Sequence, residues 1–227
     1  MKKQNDCAKM ITKLSKERDD NSVGSSYEKT HIDILNSAKE NFLKNGFERS
    51  NLRKICKDAK ITTGAFYRHF EDKEAVFVEL VKPVVDQLKD MYRENENQYY
   101  EVLDTKEIEK IWEMNEDSLV PFIEFIYENY TEMKLLLMYS DGTKYGDFIH
   151  KIASVETEKT CKYLIAIREK GYETVKINKN EIHMLIQAYF SSIFEVVMHD
   201  YPKEDALSYS KTLVKFFNPG WRVILGL

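Results

Sequence analysis

This chain of 227 residues reads as an all-α protein. Proline and glycine are scarce, 4 and 8 in all, so little interrupts long helices. Apolar residues recur at helical spacing, and no strand-like alternation stands out. Two short helical segments joined by a tight turn add an N-terminal helix-turn-helix ahead of a larger helical region. The implied organisation is a charged, flexible leader over 1–26, a helix-turn-helix domain over 27–76 and a helical domain over 77–227.

The leader ends in Asn21-Ser22-Val23-Gly24-Ser25-Ser26, a linker-like composition, although Cys7, Met10, Ile11 and Leu14 share a helical face. A helix follows from about Thr30 to Asn45, with Ile34, Ala38 and Phe42 at i, i+4, i+8 and Gly46 placed for a left-handed cap. Ser50 is the expected N-cap of a short helix, Leu52 to Ala59, that turns Leu52 and Ile55 inward and Arg53, Lys54 and Lys57 outward. Lys60-Ile61 makes the turn and Thr62 caps the next helix. Asp72 opens a fourth, with Glu74 in its first turn, where the helix dipole favours acids. That helix runs on through Phe77, Val81, Val84, Leu88 and Met91, and Pro83 inside it is expected to kink it. Further helices are predicted near 105–116, 118–130, 131–139, 144–170, 179–199 and 203–217, the last with a short restart around Gly220-Trp221.

Net charge is −4, but it is unevenly spread. Residues 1–82 carry 17 Lys/Arg against 13 Asp/Glu, a balance of +4, and residues 83–227 carry 17 against 25, a balance of −8. A mildly basic module ahead of an acidic body fits a nucleic-acid partner for the first part, as it fits ordinary fluctuation. Cys7, Cys56 and Cys161 are far apart and odd in number, which argues against a disulfide framework or a zinc site. No apolar signal core and no run of about 18 apolar residues occurs, so a soluble, cytoplasmic protein without a membrane partner is expected. His150, His183 and His199 stand singly, and no nucleophile–base pair or phosphate-cradling glycine loop is visible. No metal, cofactor or enzymatic activity is expected.

A helix-turn-helix lays its second helix in the major groove of double-stranded DNA while the first crosses the phosphate backbone. Here the second helix starts at Thr62. The small residues Thr63, Gly64 and Ala65 allow a close approach to base edges, and Arg68 can reach guanine or a phosphate. Tyr67 and His69 carry donors for the sugar-phosphate chain, while Phe66 and Phe70 anchor the helix inward.

Gly46-Phe47, Ser50, Leu52, Ile55, Ala59, Ile61, Thr62, Gly64, Phe66-Tyr67, His69-Phe70 and Lys73 closely resemble the DNA-binding domain of the tetracycline-repressor (TetR) family, over about residues 30–77. The chain departs at Lys60, where the family usually has Gly, and carries Ser50 and Cys56 where Thr and Ala are usual. A left-handed turn disfavours lysine by about 1 kcal/mol or more. The resemblance implies phosphate contacts from Ser50, Tyr67, His69 and Lys73, and groove-facing positions at Thr63, Ala65 and Arg68.

It also implies a dimer built from the last two long helices, where Ile186, Phe190, Ile193, Phe194, Val197, Leu213 and Phe217 lie on apolar stripes that one chain could equally bury in its own core. The middle helices should line a cavity for a small hydrophobic or amphipathic effector, with Tyr92, Trp112, Phe122, Phe125, Met138, Tyr139, Phe148, Tyr163 and Tyr189 as candidate walls. Plain core is the competing reading for each of these. The expected function is that of a homodimeric repressor, bound to a palindromic operator and released by its effector. The alternative is a DNA-binding regulator with no effector, acting through a protein partner.

Overall fold

The computed structural model describes the backbone of residues 2–103 and 115–226 and the side chains of residues 26–91 and 115–226. Among the described residues every regular element is a helix, and none is long and apolar enough to cross a membrane. The elements are α1 (Lys2–Arg49), α2 (Leu52–Asp58), α3 (Thr63–Phe66), α4 (Lys73–Leu103), α5 (Val120–Glu128), α6 (Tyr130–Met138), α7 (Phe148–Glu169), α8 (Lys179–Met198) and α9 (Lys203–Leu225). The predicted segment 105–116 lies almost wholly outside the described residues, as does Trp112; the side chain of Tyr92 lies outside them too.

The chain forms two compact units. The first holds residues up to Asn45 and Arg49–Leu80; the second holds Gly46–Glu48 and Val81 onward. α1 breaks at Gly46, whose φ of 76° is the left-handed conformation expected there.

In the first unit Ile34, Ala38 and Phe42 of α1 are fully buried, and Phe42 meets Phe77 edge to face at 5.4 Å. Buried polar groups fix α2 against α1. Ser37 Oγ donates to the Ile55 carbonyl at 2.9 Å, and Asn41 Nδ2 donates to the Ser37 carbonyl and to Asp58. Lys60 adopts φ of 57°, so the strained turn anticipated from its side chain is present. Replacing Lys60 with glycine should raise the unit's stability by about 1 kcal/mol, read as a higher denaturation midpoint at unchanged slope.

The second unit is built on α7, α8 and α9. Leu164 and Ile167 of α7, Ile182 and Ile186 of α8 and Leu225 of α9 form one buried cluster, with Phe190 and Trp221 packed against it. Gly226 closes α9 with φ of 72°, and a Cβ there would lie 2.2 Å from the Glu173 carbonyl oxygen, so the site excludes other residues. α9 does not stop and restart before Gly220. It continues through Pro219, which is exposed, so the carbonyl left without a donor can be met by water.

The apolar stripes of α8 and α9 divide differently from expectation. Ile186, Ile193, Phe194, Val197 and Leu213 are buried within the single chain, and Phe190 and Phe217 are half-buried. The large apolar side chains left outside on these helices are Met184, Leu185, Phe216 and Val223. Among the candidate pocket walls, Phe125 is core and Phe122 stacks on it at 6.4 Å and meets Phe194 at 6.0 Å. Tyr139, Phe148, Tyr163 and Tyr189 are half-buried, and Met138 is exposed. An open depression of about 570 Å³ is lined by Arg168, Tyr172, Glu173, Thr174 and Lys176, none of them a predicted wall.

Candidate nucleic-acid interface

The interface rests on the short elements α2 and α3. Asn51, not Ser50, caps α2: its side chain accepts the Arg53 amide at 2.8 Å. Ser50 is buried, and its hydroxyl donates to the Asn41 carbonyl at 3.0 Å. The structure thereby corrects Ser50 as the N-cap of α2; its hydroxyl closes the α1–α2 junction.

Thr62 caps α3 as expected, accepting the Ala65 amide at 3.1 Å. α3 spans only Thr63–Phe66, but the turn beyond it keeps helical hydrogen bonds, His69 N–H to the Phe66 carbonyl at 2.9 Å and Phe70 N–H to the same oxygen at 3.1 Å. Phe66 is fully buried and Phe70 nearly so, which pins this segment to the unit's core. The opposite side is left outside: Thr62, Thr63, Gly64, Tyr67 and Arg68 are exposed, and Ala65 is half-buried. Arg53, Lys54 and Lys57 of α2 and Lys60 of the turn are exposed as well. Lys54 pairs with Asp58, whose carboxyl is held below its usual range by that bond and by Asn41.

Lys73, half-buried, donates from Nζ to the Ser50 carbonyl at 2.9 Å. It therefore ties the start of α4 to the α1–α2 junction, whatever else its ammonium meets. Asp72 caps α4 through the Ala75 amide at 2.7 Å.

His69 sits in an aromatic group that the spacing of α1 alone could have hinted at. Tyr27 and His31, four residues apart on α1, bracket it: the Tyr27 ring stacks on His69 at 4.0 Å, and His31 lies 5.7 Å away and stacks on Phe70 at 4.6 Å. The Tyr27 hydroxyl donates to the Arg68 carbonyl at 3.4 Å, and His31 Nε2 pairs with Glu79 at 2.6 Å. Burial pushes the His69 imidazole below its ordinary pKa, and the charges of His31 and Arg68 push the same way. A histidine depressed on folding leaves the unfolded chain binding more protons, so stability falls as pH drops through the unfolded value near 6.5. The melting temperature should therefore fall between pH 7.5 and 5.5, and His69→Asn should flatten that slope.

The exposed, donor-rich edge of a capped short helix, beside a basic neighbour helix, is what groove reading requires. Residues 34–80 match the family of bacterial regulatory proteins of the tetR type. Residues 34–80 are thus a helix-turn-helix domain of the tetR type. The HTH-type transcriptional regulator UidR of Escherichia coli is 40% identical over 52 residues, 23% of this chain and 26% of its own length. Its counterpart from Shigella flexneri matches to the same extent. The chain thus aligns with about a quarter of the length of the curated relatives it matches. A solved structure described as a TetR-family transcriptional regulator, from Mesorhizobium loti, aligns over 84% of this chain and 96% of its own at 15% identity, with a TM-score of 0.45. The match to the family is confined to residues 34–80.

Proposed function

We propose that this TetR-family regulator is a homodimeric repressor that holds a palindromic operator and releases it when a small hydrophobic or amphipathic effector binds the second unit. The observation that carries the dimer is the set of large apolar side chains left exposed on the last two helices: Met184 is 62% exposed, Phe216 75% and Val223 67%. Apolar groups of this size gain about 1.5–3 kcal/mol each when removed from water, and a second copy offers the same surface in return. Two copies present α3 twice, which a two-fold symmetric operator requires.

The switch follows from chain continuity. α4 begins at Lys73 in the DNA-binding unit and runs unbroken through Pro83 into the second. An effector that binds better to a state with α4 displaced shifts the population away from the DNA-binding state, by a coupling of typically 1–3 kcal/mol. The half-buried aromatics Phe122, Tyr139, Phe148, Tyr163 and Tyr189 are the side chains that could yield such a cavity on rearrangement.

The dimer is tested by sedimentation. The wild-type chain should sediment as a dimer at micromolar concentration. Met184→Glu combined with Phe216→Glu should raise the dissociation constant by about a hundredfold or more, since each buries an unpaired charge in an apolar contact. A wild-type monomer, or a double variant that stays dimeric, would overturn the reading.

A further inference from the structure

We propose that His150 and His183 form a two-histidine site for a divalent transition-metal ion of the zinc class. The two residues are 33 positions apart in sequence, yet α7 and α8 bring their rings together. The centroids lie 4.9 Å apart and the planes cross at 79°. Two imidazoles that each bind one tetrahedral ion through a ring nitrogen at 2.0–2.1 Å have their centroids about 5 Å apart. The observed separation leaves room for such an ion between the rings.

The hydrogen bonds behind His183 supply a second, independent observation. Thr157 is buried, and its hydroxyl donates to the Ala153 carbonyl at 2.6 Å. That hydroxyl has one hydrogen, so toward His183 Nδ1, 3.1 Å away, its oxygen can only accept. In the proposed site Nδ1 carries the proton and Nε2 the lone pair. A ligand nitrogen on one side of the ring and an anchored N–H on the other is the arrangement that outer-shell partners impose on metal-binding histidines. Thr157 plays that outer part here.

The pair is reachable, since His150 is exposed and His183 half-buried. No group of three His, Cys, Asp or Glu able to hold a metal ion occurs among the described residues, so the proposed site has two protein ligands and would take water at its remaining positions. Imidazole nitrogen suits Zn²⁺, Ni²⁺ and Cu²⁺ over Mg²⁺ or Ca²⁺.

The test is calorimetric titration of the untagged full-length chain with Zn²⁺ at pH 7.5, under reducing conditions. One ion should bind per chain. His150→Ala and His183→Ala should each weaken binding at least about tenfold, and Thr157→Val, which keeps both ligands, should weaken it about 10–100-fold. His150 is exposed, so its variant keeps the fold, and melting curves verify that for all three. Binding that persists unchanged in the His150→Ala/His183→Ala double variant would overturn the site, as would no binding at all by the wild-type chain. Mg²⁺ binding as tightly as Zn²⁺ would overturn the assigned class of ion.

Discussion

Phe66→Ala should cost the DNA-binding unit about 3–5 kcal/mol and abolish sequence-specific DNA binding with it. Phe66 is wholly enclosed, with Phe70 at 5.7 Å and Tyr67 edge to face at 5.5 Å. α3 is four residues long and has too few internal hydrogen bonds to persist alone, so its position depends on buried side chains, of which Phe66 is the most enclosed. A loss of that size is a large fraction of the 5–15 kcal/mol that a domain typically possesses. Urea unfolding followed by circular dichroism should show an early transition belonging to the first unit, with the second unit's transition retained. A change below about 1 kcal/mol would mean that α3 is held by something other than Phe66.

The parts of this protein that were legible in its sequence are those settled by neighbours along the chain. Thr62 and Asp72 cap their helices through amides three residues on, Gly46 takes the left-handed conformation that the local pattern demanded, and Lys60 takes the one that the family resemblance implied. Adjacent candidates are harder. Ser50 and Asn51 are both good caps, and the choice between them fell to a tertiary contact, the bond from Ser50 to Asn41, which spacing does not encode.

The same limit applies to the long helices. α8 is apolar around much of its circumference, so periodicity marks it as buried but not which face its own chain covers. Packing by α7 and α9 took Ile186 of α8 inside and left Met184 out, while on α9 itself Leu213 lies inside and Phe216 outside. Contacts between distant segments were invisible. The meeting of His150 with His183 depends on how the 170–178 connection lets α8 lie against α7, and nothing near either histidine announces it. The stacking of Tyr27 on His69 was half visible, through the four-residue spacing of Tyr27 and His31.

DNA recognition by α3 is the claim on which the rest depends. Tyr67 and Arg68 are exposed, and Tyr67 meets Phe66 only at its ring edge. The contact between the Arg68 backbone and Tyr27 survives loss of the Arg68 side chain. Their removal therefore spares the fold while deleting a guanidinium and a phenol that face outward. A base or phosphate contact from arginine is worth about 1–3 kcal/mol, and a hydrogen bond to a charged phosphate about 1.5–3 kcal/mol. The most direct measurement is fluorescence anisotropy on a duplex that the wild-type protein has selected from random-sequence DNA, repeated across salt concentrations. The Tyr67→Ala/Arg68→Ala variant should bind at least about a hundredfold more weakly, with a shallower salt slope and an unchanged melting temperature. Equal affinity and an equal salt slope for the two proteins would contradict the account.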